Sequence, residues 1–379
     1  MRDVILVCER ERGWLLSLIR ELVGCESPSD NRPALAACGN LFAGICAAVG
    51  ASVERLPEGH AVEHVLARWP GEGPRVLLLG HFDTVWPVGQ LARMPIKEDG
   101  GCLFGPGVFD MKAGLGIGLL AVRAAHEAAG TSKRPHISLL ATSDEEVGSI
   151  SSRGLIERLA REHDAVLVLE PALANGAVKT ARKGVGEFQI KARGVAAHAG
   201  VDPAAGASAI HELARQIVAI EALNDPALGR TVNVGVVEGG TRTNVVAESA
   251  SARVDVRISR LSDTAAVEAA FSRLRAANPR VEITISGGIN RPPMERTAGV
   301  AHLFGIASDV AHAMGDTLLE GATGGGSDGN FTAALGVPTL DGLGAVGDGA
   351  HALHEQVRLD ALPRRAALVA GLLLRLGHN

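Results

Sequence analysis

The chain has 379 residues, more than the roughly 250–300 at which a single hydrophobic core usually stops growing, so its length predicts two domains. Its 46% hydrophobic and 21% charged residues exclude a disordered chain, and its net charge of −5, with no block of like sign, argues against a nucleic-acid or anionic-membrane partner. No apolar run reaches the ~20 residues of a membrane span.

From the N-terminus, Trp14, Leu15, Leu18, Ile19 and Leu22 form one stripe of a helix over 11–24, and a second helix is expected from about Pro33 to Val49. Short apolar runs follow, HVLARW, RVLLLG, ISLLAT and AVLVLE, alternating with helical segments near 111–129 and 151–163, which is the pattern of an α/β sheet. From Val185 the texture changes: GEFQIKARG, a helix near 206–223, TVNVGVV, SARVDVRIS, a helix near 263–277 and VEITISG. This β-α-β-β-α-β order predicts a ferredoxin-like α+β domain, closed by GGINRPP, where glycine and proline suggest a hinge. A helix near 298–314, a glycine-rich turn, ALGVPTLDGLG and a last helix over 359–376 restore the α/β texture. The economical organisation is an α/β domain in two parts, 1–184 and 292–379, interrupted by an inserted domain over 185–291.

Polar residues stand at the ends of the apolar runs, where open α/β sheets place their ligands. RVLLLG ends in His81-Phe82-Asp83, and residues two apart in extended backbone share a side, so Asp83 can orient the imidazole of His81 for a metal; alternatively the pair is a surface accident. Asp110 in GPGVFDMKAG is either a ligand or the cap of the helix that follows. ISLLATS runs into Asp144-Glu145-Glu146, three carboxylates that repel unless solvent or a cation intervenes, which leaves a wet loop or a metal site. AVLVLE puts Glu170 at a strand tip, and GDGAHALHEQV offers His351, with His354 as its rival and Glu355 four residues on. Nitrogen and oxygen donors of these types suit zinc. GGGSDG lacks the Lys-Ser/Thr ending of a phosphate loop. Cys102 has no evident histidine partner, so neither of those chemistries is expected.

GHFDTVWP, GPGVFDMKAG, TSDEEVGS, LEP, AAHAG and a late histidine before Glu-x-Val occur in the order found in the co-catalytic zinc exopeptidases. The chain resembles that family, which includes carboxypeptidase G, acetylornithine deacetylase, aminoacylase and succinyl-diaminopimelate desuccinylase. GGGSDGNFTAALG and RKGVGEFQIKARG are most similar to its glutamate carboxypeptidase branch. The resemblance implies a zinc exopeptidase-like catalytic domain with the inserted domain as a lid and dimerisation domain. It implies two zinc ions per chain, replaceable by cobalt or manganese: Asp110 bridges them, His81 and Glu170 complete one site, and Glu146 and His351 complete the other. Asp83 would support His81, and Glu145 would be the general base.

In the inserted domain the resemblance makes His198 of AAHAG a donor to the oxyanion, in some relatives across a dimer. Asn244, Arg257 and Arg291 are assigned to the substrate, with the arginine forks suited to a terminal carboxylate; a strand-end ion pair is the other reading of Arg257 and a solvated hinge that of Arg291. Lys183 is either a further carboxylate contact or a charge at the domain junction. Trp86 stands where some relatives have tyrosine, which alters the pocket. The expected protein is a metallohydrolase releasing a carboxylate-bearing amino acid, glutamate first, from a small peptide or N-acyl amino acid. A deacylase or dipeptidase of the same family is the alternative. Five cysteines without C-x-x-C, and an N-terminus without a signal-peptide core, place the expected homodimer in the cytoplasm.

Overall fold

The structure is a computed structural model that describes residues 1–57, 63–129 and 134–377. The chain divides into two compact units, one built from Met1–Ala181, Arg296–Ala322 and Ser327–Asn379, the other from Arg182–Glu295 and Thr323–Gly326.

In the first unit six strands lie side by side in the order Ser52–Leu56, His64–Trp69, His136–Thr142, Arg75–His81, Ala165–Val168 and Thr339–Leu340. The last four run parallel to one another, and His64–Trp69 is antiparallel to the neighbour on each side of it. Alternate residues of Arg75–His81 enter different cores: Val76 and Leu78 pack with Leu115, Leu119 and Leu372, whereas Leu77 and Leu79 pack with Leu155, Ile156, Leu159 and Phe331. Helices therefore cover both faces, which is why these strands read as unbroken apolar runs rather than alternating ones. In the parallel register His81 is opposite Thr142 and Leu79 is opposite Val168, so three loops leave the sheet at the same edge. One begins at the strand-end His81 and carries Asp83, the next carries Asp144 to Glu146, the third Glu170.

A small antiparallel sheet of Gly347–Asp348, Gln356–Arg358, Cys102–Phe104 and Lys97–Asp99 holds the loop of His351 beside the turn of Asp110. The helix expected to begin beside Asp110 begins at Ala113, after a wide turn over Val108–Lys112 in which Asp110 and Met111 keep non-helical backbone. Asp110 is thus freed from capping. Gly107 enters that turn at φ +69°, and a Cβ there would lie 2.5 Å from Thr84 Cγ2, so the turn is closed to any larger residue. Ahead of the expected helices lies another, Arg2–Arg10, which buries Val4, Val7 and Cys8.

The second unit is an antiparallel sheet in the order Thr231–Gly239, Ser249–Ile258, Gly184–Arg193, Glu282–Arg291, with helices Ala209–Glu221 and Asp263–Ser272 between strands in the chain. This is the ferredoxin-like arrangement. Leu213, Ile220, Val267 and Phe271 pack on Phe188, Ile190, Val254 and Val256, and the rings of Phe188 and Phe271 stack at 3.8 Å. The hinge expected at GGINRPP is instead strand up to Arg291. Gly287 makes that continuation possible: its φ is +104°, and a Cβ would come within 2.1 Å of the Glu187 carbonyl oxygen.

Candidate metal centre

Asp110 turns one carboxylate oxygen to each of two imidazoles. Its Oδ1 lies 3.4 Å from His81 Nε2, and its Oδ2 lies 3.5 Å from His351 Nε2. Glu170 Oε1 is 3.4 Å from the same His81 nitrogen, and Glu146 Oε2 is 3.2 Å from that of His351. The five side chains thus fall into two sets that share Asp110. His354 points elsewhere, with its Nε2 3.8 Å from Asp348 Oδ2.

The ligand atoms of His81, Asp110 and Glu146 lie within 4.8 Å of one another, as do those of His81, Glu145 and Glu170. Two buried atoms in this cluster, His81 Nε2 and Glu146 Oε1, make no hydrogen bond. Leaving such groups short is costly, so the cluster is built for an additional ligand. An imidazole nitrogen among carboxylate oxygens is a donor set for a divalent cation of the zinc type, and the residues fit one.

The charge balance points the same way. Burial pushes the His81 imidazole down, but the carboxylates of Asp110, Asp83 and Glu170 together outweigh it and hold its pKa well above the ordinary value. Hydrogen bonding to Asp110 and Glu146 raises that of His351 to about 10. Burial pushes Asp110 up, yet His351 and His81 win and hold it well below the usual carboxylate range, while burial pushes Glu146 up. Without a metal, protons occupy the imidazoles; a cation would displace them.

Asp83 is fully buried and its two oxygens organise the neighbouring loop. Oδ1 accepts from the backbone N–H of Glu145 at 3.2 Å, and Oδ2 accepts from Glu146 N–H at 3.1 Å and from Ser29 Oγ at 2.7 Å. His81 Nδ1 lies 3.0 Å from the Asp83 carbonyl oxygen and 3.4 Å from its carboxylate, which leaves Nε2 for the cluster. The same loop is braced from below. Asp144 Oδ2 accepts from Ser151 N–H and Oγ, each at 2.7 Å, and Ser151 Oγ and Ser143 Oγ flank the two ring nitrogens of the buried His64. Asp328 accepts from Thr142 Oγ1 at 3.2 Å and from Ser149 Oγ.

Glu355 is the functional residue that sequence reasoning underrated. Its carboxylate is 1% exposed and accepts from the N–H groups of Gly107 (2.8 Å), Phe109 (2.9 Å) and Asp110 (3.0 Å) and from Trp86 Nε1 (2.7 Å). It therefore presets the turn that carries Asp110. The available signal was a glutamate four residues beyond His351, two before an apolar valine that reads as strand. His351 itself sits at φ +60°, a conformation that costs a non-glycine residue and persists only where the surroundings impose it.

The sequence matches the model of peptidase family M20/M25/M40 over residues 77–375. The chain belongs to this family. It is 30% identical over 375 residues to carboxypeptidase G2 of Pseudomonas sp. strain RS-16, covering 97% of this chain and 90% of that protein. It is also 30% identical over 367 residues to succinyl-diaminopimelate desuccinylase of Sphingopyxis alaskensis, covering 90% and 94%. The fold is that of an aminopeptidase from Bacillus cereus, with a TM-score of 0.81 at 23% identity over 96% of this chain and 98% of the other. The protein is a hydrolase of a metal-dependent peptidase and amidohydrolase family.

In the second unit the structure pairs the segment of His198 with that of Asn244: Ala199 N–H donates to the Asn244 carbonyl at 2.9 Å and His198 bridges to Val245. The exposed His198 accepts at Nδ1 from Gly200 and Val201 N–H, each at 3.2 Å, so its neutral form carries the proton on Nε2. Arg257 forks onto Asp255, two residues away, at 2.8 to 3.1 Å, and Nη1 donates to the Gly324 carbonyl at 3.3 Å. That is the strand-end ion pair. Arg291 is buried at the end of its strand, its register partner Val185.

Proposed function

We propose that the protein hydrolyses the amide bond joining an acyl or peptidyl group to a carboxylate-bearing amino acid, glutamate first among them, with two zinc ions held by these side chains. The observation that carries the reading is Asp110, whose two oxygens each face a different imidazole, each imidazole in turn facing a different glutamate. His81 and Glu170 with one oxygen of Asp110 would hold one ion; His351 and Glu146 with the other oxygen would hold the second. Such a pair, for which cobalt or manganese could substitute, polarises the scissile carbonyl and makes water acidic enough to attack it.

The chain's own residues do the rest. Glu145, its backbone fixed by Asp83, takes a proton from the attacking water and delivers it to the leaving nitrogen as the C–N bond breaks. His198, with its proton on Nε2, would donate to the carbonyl oxygen as it gains negative charge. Asn244, Arg257 and Arg291 would bind the carboxylate, with substrate competing against Asp255 for the Arg257 fork.

The name of the Pseudomonas relative supports glutamate as the leaving residue, and several curated relatives named as desuccinylases keep an N-acyl-amino-acid deacylase as the second reading. The proposal includes a homodimer, supported by the outer edges of Thr231–Gly239 and Glu282–Arg291, which a second copy could extend. It also includes a cytoplasmic location, supported by the odd set of free cysteines. The test is metal analysis of purified protein with a screen of dipeptides and N-acyl amino acids. Chelator-sensitive release of a free amino acid is expected. Turnover indifferent to chelators would end the proposal.

A further inference from the structure

Beside Glu146 the first unit carries a cleft of about 300 Å³, walled by Pro28, Thr84, Val85, Pro87 and Val147 and edged by Asp30. That volume is at the lower end of the ~300–1,000 Å³ typical of ligand pockets, enough for one group rather than a whole peptide. Its two loops display aliphatic side chains to solvent, which is otherwise unexplained: Val85 is 42% exposed, Val147 52% and Ile150 85%.

Both walls are held before any ligand arrives. Thr84 N–H donates to the Ser27 carbonyl at 2.9 Å and its carbonyl accepts from Ser29 N–H. Trp86 is tied to Glu355, and Gly89 and Leu91 N–H donate to the Glu26 carboxylate at 2.7 and 2.8 Å. On the other side, Val147 follows Glu145 and Glu146, whose N–H groups are fixed by Asp83. A preset apolar wall gives up little freedom on binding.

The charge of the lining says which end of a substrate it takes. Among the described residues none lining the cleft is cationic, and the two charged ones, Asp30 and Glu146, are acidic. A cation held by Glu146 would offset that carboxylate, but Asp30 remains and no forked donor is present to receive an anion. Ser29 Oγ is already donated to Asp83. The carboxylate end of the substrate is therefore unwelcome here, and the group on the other side of the scissile amide is left.

We propose that this cleft is the acyl-side subsite and that it selects an uncharged, apolar acyl group or side chain over an anionic one such as succinyl. This rests on the amidohydrolase reading above and narrows its substrate class. Val147 and Val85 would be its specificity-determining residues.

The probes are N-benzoyl-glutamate and N-succinyl-glutamate, titrated calorimetrically into the zinc-loaded Glu145→Gln protein, so that binding is read without turnover. Benzoyl should bind at least about tenfold more tightly. In Glu145→Gln/Val147→Lys, the exposed lysine should reduce that preference about tenfold or more, chiefly by improving succinyl, with zinc content and melting temperature unchanged. Equal binding of the two compounds, or a preference that Val147→Lys leaves intact, overturns the subsite while sparing the amidohydrolase reading. If neither compound binds, that reading falls, and the subsite with it.

Discussion

Arg257 and His198 of the second unit and the ligand cluster of the first differ in how far their neighbours satisfy them. In the second unit Arg257 closes a fork onto Asp255 two residues away, and His198 Nδ1 is capped by the next N–H groups of its own loop. In the first unit Asp83 is equally complete, with Ser29, Glu145 and Glu146 as its donors, but the groups it supports are not. His81 Nε2 and Glu146 Oε1 are buried without a hydrogen bond, amid carboxylates from separate strand ends. A polar group satisfied by its sequence neighbours stabilises its own loop. One left short by distant, convergent neighbours marks where something else must bind.

The sharpest way to break that contrast is to separate base from ligand within one dipeptide. Glu145→Gln should keep its metals and lose about three or more orders of magnitude in turnover, whereas Glu146→Gln should lose a metal as well. Elemental analysis beside steady-state kinetics decides it, and swapped outcomes would reassign the pair.

Next in size is Glu355, a supporting residue with no proposed contact to the metals. Glu355→Gln replaces one acceptor oxygen by a donor facing N–H groups, so the Asp110 turn should loosen. Metal affinity should fall about ten- to a hundredfold, with ~1–3 kcal/mol of stability lost. Chelator competition and thermal unfolding measure both, and unchanged affinity with lowered stability would make Glu355 purely structural.

Smallest is the effect at Arg257, because Asp255 already occupies its fork. Arg257→Ala should cut kcat/KM on a substrate with a free α-carboxylate about tenfold, and Arg291→Ala up to about a hundredfold, while the poor cleavage of the amidated analogue hardly changes. Equal losses on both substrates would make the two arginines structural.

Much of the centre was legible because its residues end apolar runs. His81 closes RVLLLG and Glu170 follows AVLV, and the parallel register that aligns those ends is what the β-α alternation already implied. Asp110 was ambiguous for a reason the structure explains: the capping alternative assumed a helix starting beside it, whereas two residues of wide turn, Met111 and Lys112, intervene. The partnership of Trp86 and Glu355 links residues 269 apart and no local pattern reports it. Helix Arg2–Arg10 did carry a signal, Val4, Val7 and Cys8 at helical spacing, obscured by its charged outer face. At GGIN the glycines suggested a break, whereas Gly287 there allows close strand pairing.

The central claim is that Asp110 serves two cations at once. Its most direct test is a calorimetric zinc titration of metal-free wild type and Asp110→Ala near pH 7, in buffers of different ionisation enthalpy, with elemental analysis of the products. Both imidazoles have pKa values raised above the ordinary value, that of His351 to about 10, so both are protonated there in the metal-free protein and must release protons when zinc binds. The account predicts two zinc ions and about two protons released per wild-type chain, affinity rising with pH toward 10, and loss of tight zinc at both sites in Asp110→Ala. A single zinc in fully active wild type, or an Asp110→Ala variant that keeps both ions, would contradict it.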